Sequence, residues 1–130
     1  MRASLALTGI GLLLLGAAPA ALSETAPSAR LVAFISSDCA DCRRFSSEVL
    51  RDYWTSPTAL ELPISVIDVP ALGTGGNPLR GPLRALPTFV LMQDGREAAR
   101  IEGYPGRERL LALVEDMAEA AGALKRAPTD

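Results

Sequence analysis

The chain of 130 residues contains no histidine, a single lysine (Lys125) and only two cysteines. Each shortage removes a class of chemistry. Without histidine, a serine hydrolase lacks its usual general base. A zinc site needs four ligands, usually cysteine or histidine, and two cysteines in one chain fall short of that set. The arginines are scattered, so nucleic-acid binding, which rests on clustered Lys and Arg, is not expected. A phosphate-cradling loop is also missing: Gly73 to Gly76 reads Gly-Thr-Gly-Gly, without the lysine or the strand-to-helix setting. There are no internal repeats. The length fits one domain. Hydrophobic residues make up 48% of the chain, and helix-type and strand-type patterns alternate, which is globular and not disordered composition.

Part of the apolar content reads as an address. Arg2 gives a short basic start, Leu5 to Leu15 an apolar run, and Ala18-Pro19-Ala20 a small-residue exit. That is the layout of a secretory signal peptide over residues 1–20, with cleavage expected after Ala20 or Ser23. The alternative, a membrane anchor, is disfavoured: the uninterrupted run is shorter than the ~20 residues a spanning helix needs, and Gly9, Gly11 and Gly16 interrupt it. No cysteine follows the run, so lipid attachment is not expected there, nor stable membrane insertion after cleavage. Loss of Arg2 leaves 12 basic against 15 acidic residues, a mild net charge of −3. Export places the cysteines in an oxidising compartment, most simply a bacterial periplasm.

Residues 21–30 are small and polar and read as a flexible lead-in. Leu31 to Ile35 is a continuous apolar run of buried-strand length. Ser36, Ser37 and Asp38 offer helix-capping side chains. From Ala40 to Trp54, Phe45, Val49, Leu50, Tyr53 and Trp54 are assigned to one apolar helical face, with Trp54, Phe45 and Phe89 expected in the core. Leu62 to Val69 reads as a second strand, followed by a Gly/Pro-rich loop with one short helical turn near Leu83. Thr88 to Met92 is a third strand, Asp94-Gly95 a tight-hairpin signal, and Ala98 to Glu102 the return strand. Arg107 to Ala121 has helical spacing, and residues 122–130 form a polar tail. The domain thus spans 31–121 as strand-helix-strand, then hairpin-helix. The first crossover predicts parallel strands, giving an α/β fold: a four-stranded mixed sheet flanked by helices.

The cysteines lie in Ser36 to Phe45, "SSDCADCRRF". A Cys-x-x-Cys pair can be a structural cross-link, a metal site or a redox couple. A cross-link at this spacing closes a tiny loop and stabilises little by the loop-entropy argument. Copper(I) accepts two thiolates, so a non-catalytic module binding copper or a partner protein stays open as an alternative.

Three elements then carry a resemblance to the thioredoxin superfamily. One is the strand followed by Cys39-Ala40-Asp41-Cys42 at a helix start. The second is Leu86-Pro87-Thr88 entering the third strand, matching the family's cis-proline position. The third is "FVLMQDGREAARIEGY", which looks like the family's terminal hairpin with Gly103 at the usual glycine. Within the superfamily, "GREAARIEGYPG" and the export signal resemble the small periplasmic thioredoxins associated with bacterial sulfur oxidation, the SoxS-like group. There are departures. Asp38 replaces the usual tryptophan, Ala33 stands where thioredoxins bury an acid, and the first strand and helix of full thioredoxins are missing.

The resemblance implies a thiol–disulfide oxidoreductase with no cofactor beyond the redox disulfide Cys39–Cys42 and no metal. Cys39, at a helix N-terminus, is expected to be the exposed nucleophile, because free N–H groups and the positive helix end favour a thiolate. Cys42, one turn on, is expected to resolve the mixed disulfide. Leu86, Pro87 (cis) and Thr88 are expected to hold the substrate strand. Asp38 and Asp41 are expected to oppose the thiolate, with Arg43 and also Arg44 as the cations placed to offset them, the balance being left open by the sequence. With no histidine between the cysteines, the expectation is a reductant, and a measured potential near about −120 mV would contradict it. The implied partners are a client protein with a disulfide or sulfur adduct, such as a cysteine-bearing sulfur carrier, and a membrane thiol electron donor.

Overall fold

A computed structural model describes residue 16, residues 27–69 and residues 79–125 of the chain. The expected signal peptide, apart from Gly16, and both cleavage positions lie outside the described residues, as do most of the Gly/Pro-rich loop and the last five residues. Among the described residues no helix is long and apolar enough to cross a membrane.

The architecture is an open four-stranded mixed sheet in the order β2-β1-β3-β4. β1 (Ala29–Ile35) lies in the interior of the sheet. It pairs parallel with β2 (Ile64–Asp68) on one side and antiparallel with β3 (Thr88–Gln93) on the other. Both its faces are covered, which is why it reads as a continuous apolar run and not as an alternation. The strand begins at Ala29, inside what the sequence suggested was a lead-in. Ala29 is buried, and its partner across the ladder is Gln93.

β4 (Arg96–Glu102) closes the hairpin with β3. Asp94 (φ 51°) and Gly95 (φ 77°) both take positive φ, the type I′ geometry whose twist matches the flanking strands. The ladder carries a bulge: Leu91 faces Ala99, but Met92 faces Glu97, so Ala98 is the extra residue.

One face of the sheet carries the main core. Leu31, Ala33, Phe89 and Leu91 meet Phe45, Val49, Leu50 and Tyr53 from one helical run, and Leu110, Val114 and Ala118 from α4 (Arg107–Ala120). The other face buries Val32, Phe34, Val90 and Met92 with Leu83, and the segment carrying Leu79, Leu83 and Leu86 packs there. No helical turn forms near Leu83. That segment is irregular, and burial of its leucines holds it down.

The first helical run is not a uniform α-helix. α1 (Ala40–Phe45) passes into a π-turn (Ser46–Leu50) and then α2 (Arg51–Trp54). A π-turn advances fewer degrees per residue than the ~100° of an α-helix. That brings Val49, Leu50 and Tyr53 to the side already held by Phe45. It leaves Trp54 off that stripe: Trp54 is 57% exposed and not part of the core, contrary to the sequence expectation. A short α3 (Thr58–Glu61), not anticipated after Pro57, leads back to the sheet, and Leu62 behind it is fully buried. After α4, Gly122 (φ 70°) reverses the chain so that Ala123 donates to the carbonyl of Ala118 at 2.7 Å. Ala123 and Leu124 thereby pack on the core, so the expected polar tail begins later than residue 122.

Candidate redox site

β1 ends at Ile35, and a turn through Ser36–Asp38 delivers Cys39 to the start of α1. Cys39 N–H donates to Ser36 O at 3.2 Å. The serines and Asp38 had been expected to cap this helix. Cys39 is itself the N-cap, in extended conformation (φ −88°, ψ 114°), and its sulfur accepts the Cys42 N–H at 3.1 Å. A sulfur in that position occupies the role a serine or aspartate oxygen normally takes. The N–H groups of a helix's first turn have no partner within the helix, and one of them is turned on the Cys39 sulfur.

Cys39 and Cys42 form a disulfide with a Cα–Cα separation of 5.1 Å. The two sulfurs differ in access: Cys39 is half-buried and Cys42 is 1% exposed. Beneath the pair, Phe45 packs edge-on against Phe89 with ring centroids 4.8 Å apart. Ala33, also fully buried, stands at the strand position where thioredoxins carry an acid, so no carboxylate lies at that position.

The segment entering β3 completes the site. The Leu86–Pro87 peptide is cis, and the carbonyl oxygen of Leu86 lies 3.4 Å from Cys39 Sγ. Pro87 is fully buried, and its carbonyl accepts the Gly103 N–H at 2.8 Å. Thr88 is also fully buried, with its hydroxyl donated to Ala85 O at 2.7 Å. Of these three residues only Leu86 presents surface to an incoming chain.

The charged neighbours divide differently from the simplest reading. Arg43 donates to the carbonyl of Ser37 at 3.0 Å and so braces the turn before Cys39. The cation on Asp41 is Arg44, at 3.4 Å, and Arg44 also reaches Glu48 at 3.4 Å and lies over the Tyr104 ring, 5.2 Å from its centroid. No cation pairs with Asp38 among the described residues. The Tyr104 hydroxyl donates to Glu48, holding that carboxyl below its usual range, while burial, followed by Glu48 itself, pushes the phenol up to about 12. Sequence reading missed this network. Its Arg44 pairs have ordinary helical spacing, but Tyr104 lies fifty-six residues from Glu48, with no local spacing to betray it.

The fold is thioredoxin-like, and together with a half-buried cysteine whose buried partner lies three residues on it supports a thiol–disulfide oxidoreductase of the thioredoxin superfamily. Among solved structures, the chain is similar to the periplasmic thioredoxin SoxS from Paracoccus pantotrophus in its reduced form. The identity is 26% and the TM-score 0.64, covering 72% of this chain and 98% of that one. Thioredoxins of Malassezia sympodialis (15% identity, TM-score 0.53, covering 71% and 79%) and Fasciola hepatica (20%, 0.51, covering 70% and 82%) share the fold. No protein-family model and no curated protein matches the chain.

Proposed function

We propose that the protein is an exported thiol–disulfide reductant that clears disulfides or sulfur adducts from the cysteine of a particular client protein. The observation that carries this reading is the contact set of one atom. Cys39 is partly exposed, and its Sγ receives the Cys42 N–H and lies beside the Leu86 carbonyl.

In the reduced protein the Cys39 thiolate attacks a client sulfur. A Cys39–client disulfide forms as the client's own sulfur–sulfur bond breaks, and the displaced thiolate takes a proton. Cys42, held beneath, then loses its proton and attacks Cys39 Sγ. This re-forms the intramolecular disulfide and releases the client thiolate. Two electrons pass from the cysteine pair to the client. A thiol donor, for which a membrane thiol protein is the natural source, restores the pair by the same exchange in reverse.

Three features support the direction and the setting. Asp38 is adjacent to Cys39 with no paired cation among the described residues, which works against the thiolate and so against stabilising the reduced form. The residues between the cysteines are Ala40 and Asp41, with no histidine to lend positive charge. The likeness to a periplasmic thioredoxin and the signal-like layout of residues 1–20 support export. A sulfur-carrier protein with an exposed cysteine fits as client.

The test is insulin reduction with dithiothreitol as donor, paired with a Cys42→Ser variant offered to periplasmic extract. Turnover by the native protein, its loss in Cys39→Ser, and a covalent Cys42→Ser–client adduct cleaved by reductant are the expected results. Full activity in Cys39→Ser would overturn the assignment.

A further inference from the structure

Glu97 is a buried carboxylate that the exchange chemistry does not use. It is 4% exposed and accepts three hydrogen bonds: from the Arg80 backbone N–H at 2.8 Å, and from Arg100 Nε at 2.5 Å and Nη2 at 2.7 Å. Arg100 carries the contact onward, donating to the carbonyls of Gly81 (3.3 Å) and Pro82 (3.1 Å). Two side chains of β4 therefore grip three consecutive backbone positions of one segment.

The bulge makes this grip possible. In a regular strand, residues three apart point to opposite faces. The extra residue at Ala98 reverses the alternation, so Glu97 stands over Met92 and Arg100 over Val90, both on the face where the Leu79–Leu86 segment lies. Burying an ion pair is costly unless every polar atom is matched. No buried side-chain nitrogen or oxygen among the described residues lacks a partner, so the pair is fully matched here.

The gripped segment leads to the active sulfur. From Arg80–Pro82 the chain continues through Leu83, 2% exposed, and Ala85, whose carbonyl is held by Thr88, to Leu86, whose carbonyl oxygen lies 3.4 Å from Cys39 Sγ. A carbonyl oxygen beside a sulfur favours the thiol, to which it offers an acceptor, over the thiolate, which it repels. It opposes the Cys42 N–H, which favours the thiolate.

We propose that Glu97 and Arg100 are positioning residues for Cys39: by clamping Arg80–Pro82 they hold the Leu86 carbonyl against the sulfur and keep its thiolate population low. This rests on the reading of Cys39 as the attacking thiol. The charged groups nearest Cys39 along its own turn and helix are Asp38, Asp41, Arg43 and Arg44, and on the facing segment Arg84 stands two residues before Leu86. The clamp touches none of them directly, so its effect travels through the backbone.

The experiment uses the full chain, reduced with dithiothreitol and freed of it, with iodoacetamide as probe and mass spectrometry locating the label. Arg100→Gln and Glu97→Gln are compared with the native protein from pH 6 to 9 at a temperature where circular dichroism shows each folded. Release of the clamp is expected to raise the Cys39 alkylation rate at pH 7 about threefold, with the midpoint of the rate profile moving down by about half a unit. The double variant is expected to match either single one, because the pair acts as a unit. Arg100→Lys keeps the ion pair while dropping the reach to Gly81 and Pro82. It carries the test if the glutamine variants do not fold, and it is expected to move the profile in the same direction. Folded variants with native alkylation profiles, whatever their melting temperatures, would overturn the inference and reduce the clamp to a structural one. If the native protein itself neither reduces insulin nor alkylates at Cys39, the functional reading fails instead, and the two failures are thereby told apart.

Discussion

The Tyr104 hydroxyl and the Glu48 carboxylate lie 2.5 Å apart, joining the loop after β4 to the π-turn of the helical run that carries the cysteines. Arg107 reinforces the junction, donating to the Glu48 carbonyl and to Asp52. The guanidinium at the start of α4 holds a backbone carbonyl of the π-turn. The connection from β4 to α4 is thus fastened to the helical run that carries the cysteines.

That junction predicts an unusual alkaline titration. The chain has two tyrosines, and burial pushes both phenols up to about 12. Tyr53 is enclosed by the core and donates to Leu62 O at 2.7 Å. A phenol whose folded value lies above its unfolded value of about 10 adds stability that is fully present below pH 10 and is lost as pH rises towards 12. An ultraviolet absorbance titration of the folded protein should therefore lack a tyrosinate step near pH 10. The step should return to pH 10 in denaturant. A folded-state step near 10 would contradict the burial of both rings.

Trp54 and Phe45 make a second contrast. Trp54, the chain's one tryptophan, is 57% exposed, whereas Phe45 is 1% exposed between Phe89 and Tyr104. Native fluorescence should already show a water-exposed indole, open to a neutral quencher. Trp54→Ala should change stability by under about 1 kcal/mol, while Phe45→Ala should cost about 3–5 kcal/mol through the cavity it leaves. Denaturant unfolding of the two variants measures the difference. Equal costs would mean that the helical run buries both rings.

The same pair of residues shows what the sequence could and could not convey. Strand and helix identities were legible because buried runs, the Asp94-Gly95 turn and the spacing of Leu110, Val114 and Ala118 are local signals. So was the cysteine pair, whose spacing and position after a strand carry their own meaning. Trp54 was misplaced because a helical pattern assumes one angular step per residue, and a π-turn changes that step midway. Glu97 and Arg100 were illegible for the equivalent reason in a strand. A bulge at Ala98 shifts the side-chain alternation, and no spacing rule for a regular strand pairs residues 97 and 100. Which of the two adjacent arginines answers Asp41 was not legible either: both were candidates by spacing, and the structure gives Arg44 to Asp41 while tying Arg43 to Ser37 O.

The unequal pairing of the two aspartates around Cys39 yields the last prediction. Asp41 faces Arg44 at 3.4 Å, whereas Asp38 has no paired cation among the described residues. Both carboxylates are exposed, so each acts on the sulfur through water and is weakened by salt. An anion already accompanied by a cation contributes less to the field at a third site than an unaccompanied one. Asp38→Asn should therefore speed Cys39 alkylation at pH 7 by about threefold to fivefold at low salt, and Asp41→Asn by less than about twofold. Arg44→Gln should slow it, because the Asp41 charge is then unshielded. Added salt should draw all three variants toward the native rate. Rates measured on reduced protein at two ionic strengths decide the matter. If Asp41→Asn gave the larger effect, Arg44 would not be neutralising Asp41 in solution, and the charge balance at the sulfur would have to be assigned to the aspartate between the cysteines.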